Sequence, residues 1–157
     1  MILKEKLSAI IPEWQDRVTR LLRTNGDMKI DDVTIRQVYG GMRGVKGLVS
    51  EISSVHPIEG IKLRGYSIPQ LLDLLPKPGG AEIPYVGGLY FLLLTGEIPT
   101  NEEAIEVEQT WHARSSIPDH VIKVLKEMPE QTAPMTLFSQ AILSLQADSI
   151  FTKRFEA

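Results

Sequence analysis

Glycine and cationic residues are concentrated between Tyr39 and Thr100, most densely in the segment GGMRGVKG at residues 40–47. Glycine is costly inside helices and is used where the backbone must turn or approach another group closely. Small residues let backbone amides reach a ligand, and a guanidinium such as that of Arg43 suits phosphate groups. The segment matches neither the Walker pattern nor the dinucleotide-binding fingerprint. Two interpretations stay open from these residues: a phosphate-binding loop or, favoured at this point, a tight irregular loop with solvated cations.

The three histidines do not form a recognisable catalytic or metal-binding pattern. His56 precedes Pro57 in a predicted turn, where a solvated side chain is the simplest interpretation. His112 and His120 are separated by a proline-containing connection and lack the i, i+4 spacing of a helical metal pair. The sequence therefore predicts no metal site.

The remaining catalytic residue types have structural explanations. Asp31-Asp32 and Glu102-Glu103 fall in predicted first helical turns, where the helix dipole favours acids. Ser115-Ser116 lacks the glycines of a nucleophile elbow. The chain contains no cysteine, which excludes thiolate catalysis, disulfides and cysteine-based zinc sites. We expect no catalytic residue within this chain.

Length and charge suit a single domain of 157 residues, and the net charge of −3 predicts neither a nucleic-acid nor a membrane partner. The start, Met1–Lys6, mixes acids with bases and resembles neither a signal peptide nor an organelle presequence. A cytoplasmic location is expected, with the mitochondrial matrix as the alternative if the N-terminus is processed. The apolar stretch Val86–Leu94 is less than half the ~20 residues of a spanning helix and predicts a buried core segment.

The elements that would position the glycine-rich segment begin with a long helix. Apolar residues recur at steps of three and four from Leu3 to Leu22, which predicts an amphipathic helix kinked or restarted at Pro12. A left-handed stop is expected at Asn25-Gly26. Asp31 or Asp32 is expected to cap a short helix that ends at Gly40-Gly41.

A small antiparallel β-hairpin is predicted near residues 48–66, with its turn at Pro57–Gly60. Helices follow, and two capping boxes, Ser67 with Gln70 and Thr100 with Glu103, start them at about residues 68 and 101. Further apolar helical faces lie at residues 121–128 and 137–145. The predicted fold class is all-α and multi-helical, with the hairpin as its only sheet.

Several motifs, in order and spacing, resemble the N-terminal part of citrate synthase of the mitochondrial type. The residues that carry the resemblance are Tyr39–Leu48, Glu59–Pro69, Leu75–Lys77, Gly79-Gly80, Gly88-Leu89, Leu92–Thr100, Pro118, His120-Val121 and Pro134-Met135. The resemblance implies that residues 1–157 form the N-terminal portion of the larger, all-α domain, and that the catalytic C-terminal part is absent.

The same resemblance implies an acyltransferase of the tricarboxylic acid cycle that condenses acetyl-CoA with oxaloacetate and water to citrate and CoA. The resemblance also implies that the enzyme is a homodimer and that it needs no metal or cofactor. The family's catalytic histidines and aspartate lie in the later part of the polypeptide, so we expect residues 1–157 alone to be inactive. Arg43, in the family's Gly-Gly-Met-Arg-Gly motif, is expected to approach the phosphates of CoA, whereas Lys46 is expected to be a solvated or loop-packing cation.

Two alternatives remain beside this hypothesis. The chain could be a non-catalytic helical interaction or assembly module derived from citrate synthase, or a segment of a 2-methylcitrate synthase. If the helices near residues 101–115, 119–128 and 134–147 pack on later helices in the complete enzyme, the isolated chain should expose apolar faces larger than a few hundred Å².

Overall fold

The computed structural model describes residues 2–47 and 49–155. These residues form eight α-helices, one 3₁₀ turn and one three-stranded antiparallel sheet, which confirms the all-α class with a small hairpin. In chain order the elements are α1 (Ile2–Asn25), α2 (Ile35–Tyr39), β1 (Ser53–His56), β2 (Gly60–Leu63), β3 (Tyr66–Ser67), α3 (Ile68–Leu74), α4 (Val86–Thr95), α5 (Asn101–His112), α6 (Asp119–Glu127), α7 (Pro134–Ser144), the 3₁₀ turn (Leu145–Asp148) and α8 (Ile150–Phe155). The chain divides into two compact units, Met1–Trp111 and His112–Ala157. None of the described helices is long and apolar enough to cross a membrane.

Helix α1 runs without interruption through Pro12, so the helix is not restarted there. It ends at Asn25, and the amide of Gly26 donates to the carbonyl of Leu22 at 2.8 Å. The predicted left-handed stop is wrong, because neither Asn25 nor Gly26 has a positive φ. Glycine is required at position 26 for a different reason: a Cβ would collide with the carbonyl oxygen of Leu22.

The core of the first unit lies where α3 and α4 meet. Leu71, Leu75 and Leu92 form its buried cluster, and Phe91 of α4 is fully buried. The two predicted capping boxes begin α3 and α5 at Ile68 and Asn101. The prediction that Val86–Leu94 is a buried core segment is confirmed for one face of α4, which buries Gly87, Gly88, Phe91 and Leu92, but Val86, Tyr90 and Leu94 are exposed.

The sheet extends the predicted hairpin by one strand. Strands β1 and β2 pair antiparallel with Val55 opposite Ile61, and β3 adds to β2 with Leu63 opposite Tyr66. The turn between β2 and β3 consists of two residues, Arg64 and Gly65, with φ of 49° and 87°. Positive φ at both central residues is what a type I′ hairpin turn requires.

The second unit contains α6, α7, the 3₁₀ turn and α8. Val121 on α6 is buried, whereas no residue of α7 or α8 is. The ring Nε2 of His120 lies 3.0 Å from the carbonyl oxygen of Ser144 and links the start of α6 to the end of α7. The predicted faces of α6 and α7 are therefore helical, and the face of α6 is mostly half-buried, whereas Phe138 and Ile142 on the face of α7 are exposed.

Candidate functional site

The glycine-rich segment begins at α2, whose start is fixed by a capping box. The Thr34 hydroxyl accepts the amide of Gln37 at 3.2 Å, and the Gln37 side-chain carbonyl accepts the amide of Thr34 at 2.9 Å. The expectation that Asp31 or Asp32 caps this helix is wrong. Thr34 lies one residue before the helix, where its side chain reaches the third helical amide, and the two aspartates lie too early to do so.

The end of α2 is a Schellman motif. The amide of Gly41 donates to the carbonyl of Val38 at 3.2 Å, and the amide of Met42 donates to the carbonyl of Gln37 at 2.8 Å. Gly41 has a φ of 73°, the left-handed conformation that this motif places just after the helix. The predicted stop at Gly40-Gly41 is therefore confirmed.

Arg43 lies at the corner of the turn that follows immediately. The amide of Val45 donates to the carbonyl of Met42 at 3.2 Å, which closes a four-residue turn. Gly44, the third residue of the turn, has a φ of 74°, as a type II turn requires. Because Arg43 holds the second position, its side chain projects from the turn, and it is exposed.

The acidic residues near this turn are paired with lysines. Asp31 lies 3.5 Å from the ammonium of Lys46, and Asp32 pairs with Lys29. Within the described part of the chain, Arg43 makes no ion pair. In the same residues, the backbone amides of Arg43 and Gly44 donate no hydrogen bond. An exposed guanidinium beside two available amides can bind an anion such as a phosphate.

Local hydrogen bonds, rather than burial, give this segment its shape. Among the described residues from 11 to 61, only Gln37 and Val45 are half-buried, and the rest are exposed. The loop is therefore defined by two consecutive turn motifs and the cap before them.

Two of the three histidines, His56 and His120, have structural roles. The Nδ1 of His56 accepts the amides of Ile58 at 3.3 Å and Glu59 at 3.2 Å, so this side chain organises the hairpin turn and is not merely solvated. His120 joins two helices of the second unit. In residues 2–47 and 49–155 no three His, Asp or Glu side chains are grouped so that they could hold a metal ion.

Arg64 has a role that its sequence position does not reveal. Its Nε and Nη2 donate to the carbonyl of Leu93 at 3.0 and 2.6 Å, at the C-terminal end of α4. A cation is favoured at a helix C-terminus, where carbonyl groups lack partners. The Arg64-Gly65 dipeptide indicates a turn. The hydrogen-bond partner of Arg64, Leu93, lies 29 residues further along the chain, and no local sequence pattern predicts this contact.

Comparison with known proteins gives a consistent result. A family model described as "Citrate synthase, C-terminal domain" matches residues 41–156. Proteins named "Citrate synthase, mitochondrial" from Xiphias gladius and Kajikia audax are each 43% identical over 98% of this chain and 33% of their own length. A "Probable citrate synthase, mitochondrial" from Glossina morsitans morsitans is 42% identical over the same shares. The chain spans about a third of the length of these relatives.

Proposed function

The chain belongs to the citrate synthase family, and we propose that it is the N-terminal segment of a citrate synthase in which Arg43 contacts the phosphates of CoA. The complete enzyme would condense acetyl-CoA with oxaloacetate and water to give citrate and CoA in the tricarboxylic acid cycle. This segment would supply part of the CoA-binding surface. The catalytic residues and the oxaloacetate-binding arginines would come from the rest of the polypeptide, so residues 1–157 alone would be inactive.

The assignment to the N-terminal part rests on the order and spacing of the motifs. The matching family description refers to a C-terminal domain, and the position of the segment within the longer relatives stays a prediction. As part of the same proposal, the complete enzyme would be a homodimer and would require no metal or cofactor. The three relatives described above are named as citrate synthases, so neither an interaction module nor a 2-methylcitrate synthase is favoured.

The mitochondrial matrix is part of this proposal as well. The names of the three relatives place those proteins in mitochondria, which favours the matrix over the cytoplasmic location expected from the sequence. Import followed by fractionation of the tagged complete polypeptide would distinguish the two compartments.

The single observation that carries the proposal is the position of Arg43. It stands at the exposed corner of the turn, without an ion pair among the described residues, while Lys46 in the same loop is paired with Asp31. Oxaloacetate is also an anion, because it carries two carboxylates. A phosphate suits this position better, since its several oxygens can accept from the guanidinium and from the adjacent backbone amides together. Arg43 therefore has the chemistry and the exposure that a CoA-phosphate contact needs.

Replacing Arg43 with Ala in the complete enzyme tests this contact. We expect acetyl-CoA binding to weaken about 10- to 150-fold, because hydrogen bonds to charged groups are worth roughly 1.5 to 3 kcal/mol. The KM for oxaloacetate should change much less. Calorimetric titration with CoA and steady-state kinetics at varied acetyl-CoA measure the two effects.

Lys46→Ala is the matched control, since it removes a cation of the same loop that already has a carboxylate partner. It should leave CoA affinity within about fivefold, since an exposed ion pair is worth at most about 1 kcal/mol. Unchanged CoA affinity in the Arg43→Ala enzyme would return Arg43 to the role of a solvated loop cation.

A further inference from the structure

Gln37 is connected to both ends of α2. At the start of the helix its side-chain carbonyl accepts the Thr34 amide at 2.9 Å, and the Thr34 hydroxyl lies 3.0 Å from the same oxygen. At the end of the helix its backbone carbonyl accepts the Met42 amide at 2.8 Å. Because α2 has only five residues, the capping box and the Schellman motif share this one residue.

The Schellman motif passes directly into the turn that carries Arg43. Met42 is the last residue of the motif, and its carbonyl accepts the Val45 amide that closes the turn. The Gln37 side chain also lies beside the turn, since its Nε2 is 3.9 Å from the position of a Cβ on Gly44. Truncating the side chain at position 37 would therefore break the cap directly. The stop, which uses the backbone carbonyl of Gln37, and the turn after it would be disturbed through the loosened helix.

Few other contacts hold this segment in place. Gln37 and Val45 are its half-buried residues, and the Lys46–Asp31 pair is between exposed side chains at 3.5 Å. Exposed pairs contribute little to a fixed geometry. A helix of five residues is also far below the length at which a helix is stable without caps or packing.

We propose that Gln37 is a positioning residue for acetyl-CoA: through the Thr34 capping box it keeps α2 formed and thereby fixes the turn that presents Arg43 to the CoA phosphates. This inference rests on the proposed function of Arg43. Gln37 itself does not contact the substrate. Its loss would lower CoA affinity by letting Arg43 sample orientations that do not meet the phosphates.

Variants of the cap in the complete enzyme provide the test. Gln37→Ala and Thr34→Ala each remove one side of the capping box, and Thr34→Ser restores the hydroxyl. We expect the two alanine variants to raise the KM for acetyl-CoA about two- to thirty-fold, the range of a lost cap, while kcat at saturation and the KM for oxaloacetate stay unchanged. Thr34→Ser should restore the affinity. Val38→Ala is the control, since it changes an exposed side chain of the same helix without touching the cap.

The double variant Gln37→Ala/Arg43→Ala separates positioning from direct binding. If Gln37 acts through Arg43, the double variant should bind acetyl-CoA no more weakly than Arg43→Ala alone. Additive losses would overturn the inference, as would a proportional fall in kcat and both affinities, which would indicate general unfolding. If Arg43→Ala weakens binding but both cap variants bind normally, the inference is wrong and the proposed contact stands. If Arg43→Ala itself binds normally, the proposed contact is wrong.

Discussion

Lys6 connects α1 to the junction between α4 and α5. Its ammonium lies 2.7 Å from a carboxylate oxygen of Glu97 and 3.0 Å from one of Glu103, and it lies 5.0 Å from the centre of the Phe91 ring. Glu103 also accepts the amide of Thr100 at 2.8 Å. One cation thus stabilises the acid that caps α5 and anchors the first helix to the fold.

These contacts shift the titration of both partners. Hydrogen bonds from Lys6 to Glu97 and then to Glu103 raise the pKa of the Lys6 ammonium above 10.5. For Glu103, burial is the largest single effect and opposes ionisation. The Thr100 amide and the Lys6 ammonium together outweigh it and hold the pKa of Glu103 below 4.5.

The pH dependence of stability follows from the direction of each shift. A carboxylate with a lowered pKa contributes stability above its unfolded pKa and loses it as the pH falls through its folded pKa. The contribution of Glu103 should therefore be present at neutral pH and disappear below pH 4.5. That of Lys6 should be present below pH 10.5 and disappear as the pH rises above it.

Glu103→Gln should reduce the acid sensitivity of this junction. The amide oxygen can still accept the Thr100 amide, so the cap survives while the charge is lost. We expect the free energy of unfolding to fall by about 1 kcal/mol at neutral pH, a modest value because Lys6 is partly solvated. The difference from the parent protein should be smaller at about pH 3. Thermal unfolding midpoints of the complete enzyme and its Glu103→Gln variant from about pH 3 to about pH 7 measure this. If the unfolding midpoints of the two proteins depended identically on pH, ionised Glu103 would not be the group that stabilises this junction.

At the residue scale, the four-residue capping-box pattern predicted local contacts correctly at both places where it was applied. The boxes at Ser67 and Thr100 follow from a pattern of four residues, and both are present. The same pattern occurs at Thr34 with Gln37, and it is a better signal for the start of α2 than the aspartates before it. The Lys6–Glu97 contact joins residues 91 positions apart, so only the fold brings them together.

At the scale of elements, the contact between α4 and α5 depends on two glycines. A Cβ at Gly87 would lie 2.6 Å from the carbonyl oxygen of Ala104 and 2.9 Å from the Cγ of Glu108. A Cβ at Gly88 would lie 3.3 Å from the Cβ of Ala104. Glycine lowers helix propensity by about 1 kcal/mol relative to alanine, so its presence here reflects the close approach of the two helices.

Gly87→Ala and Gly88→Ala form a matched pair that tests this packing. At position 87 the new methyl group meets rigid backbone, and we expect destabilisation of about 1 to 3 kcal/mol despite the better propensity. At position 88 a shift of a few tenths of an ångström suffices, so the effect should be within about 1 kcal/mol of zero. Denaturant unfolding of both variants of the complete enzyme measures the difference. Equal stabilities would mean that α4 and α5 can separate without cost.

The sequence predicted the types of the secondary-structure elements and their first residues better than it predicted the contacts between elements. Period, caps and turn residues predicted the helices from Ile68 and Asn101 and the first hairpin. The third strand was missed because its turn places Arg64 at a φ of 49°, a conformation that an arginine rarely adopts. Arg64 combines this unfavourable backbone conformation with its hydrogen bond to the carbonyl of Leu93. Sequence periodicity cannot predict a hydrogen bond between residues so far apart in the chain. At the candidate site, the glycines predicted a loop, but not which turn would expose Arg43.

At the scale of the whole molecule, the accessible surface is unusually large for the mass. The chain exposes 12906 Å², whereas a folded monomer of 17.6 kDa exposes about 7,900 Å². Large apolar side chains contribute to this surface in both units. Leu22 on α1 is 63% exposed, and in the second unit Phe138 is 60% and Phe155 is 82% exposed.

Such exposure is what a segment of a larger enzyme should show when it stands alone. Isolated soluble monomers rarely leave contiguous apolar patches beyond a few hundred Å². The buried cores are also small. Outside the cluster of Leu71, Leu75 and Leu92, the buried apolar side chains of the described residues are Phe91, Ala104 and Val107 in the first unit and Val121 in the second. These small cores support the proposal that the rest of a longer polypeptide covers the exposed apolar side chains.

We therefore expect the polypeptide of residues 1–157 to self-associate or to be partly molten. Light scattering coupled to size-exclusion chromatography should detect species larger than 17.6 kDa, and an apolar dye should bind with enhanced fluorescence because packed cores exclude it. Phe138→Ser with Leu143→Ser, which removes two exposed apolar groups of α7, should increase the monomer fraction. The same pair should weaken the complete enzyme if α7 is covered there. A monodisperse monomer that unfolds in one cooperative transition would contradict this expectation and would count against the proposal that the chain is a segment of a longer citrate synthase.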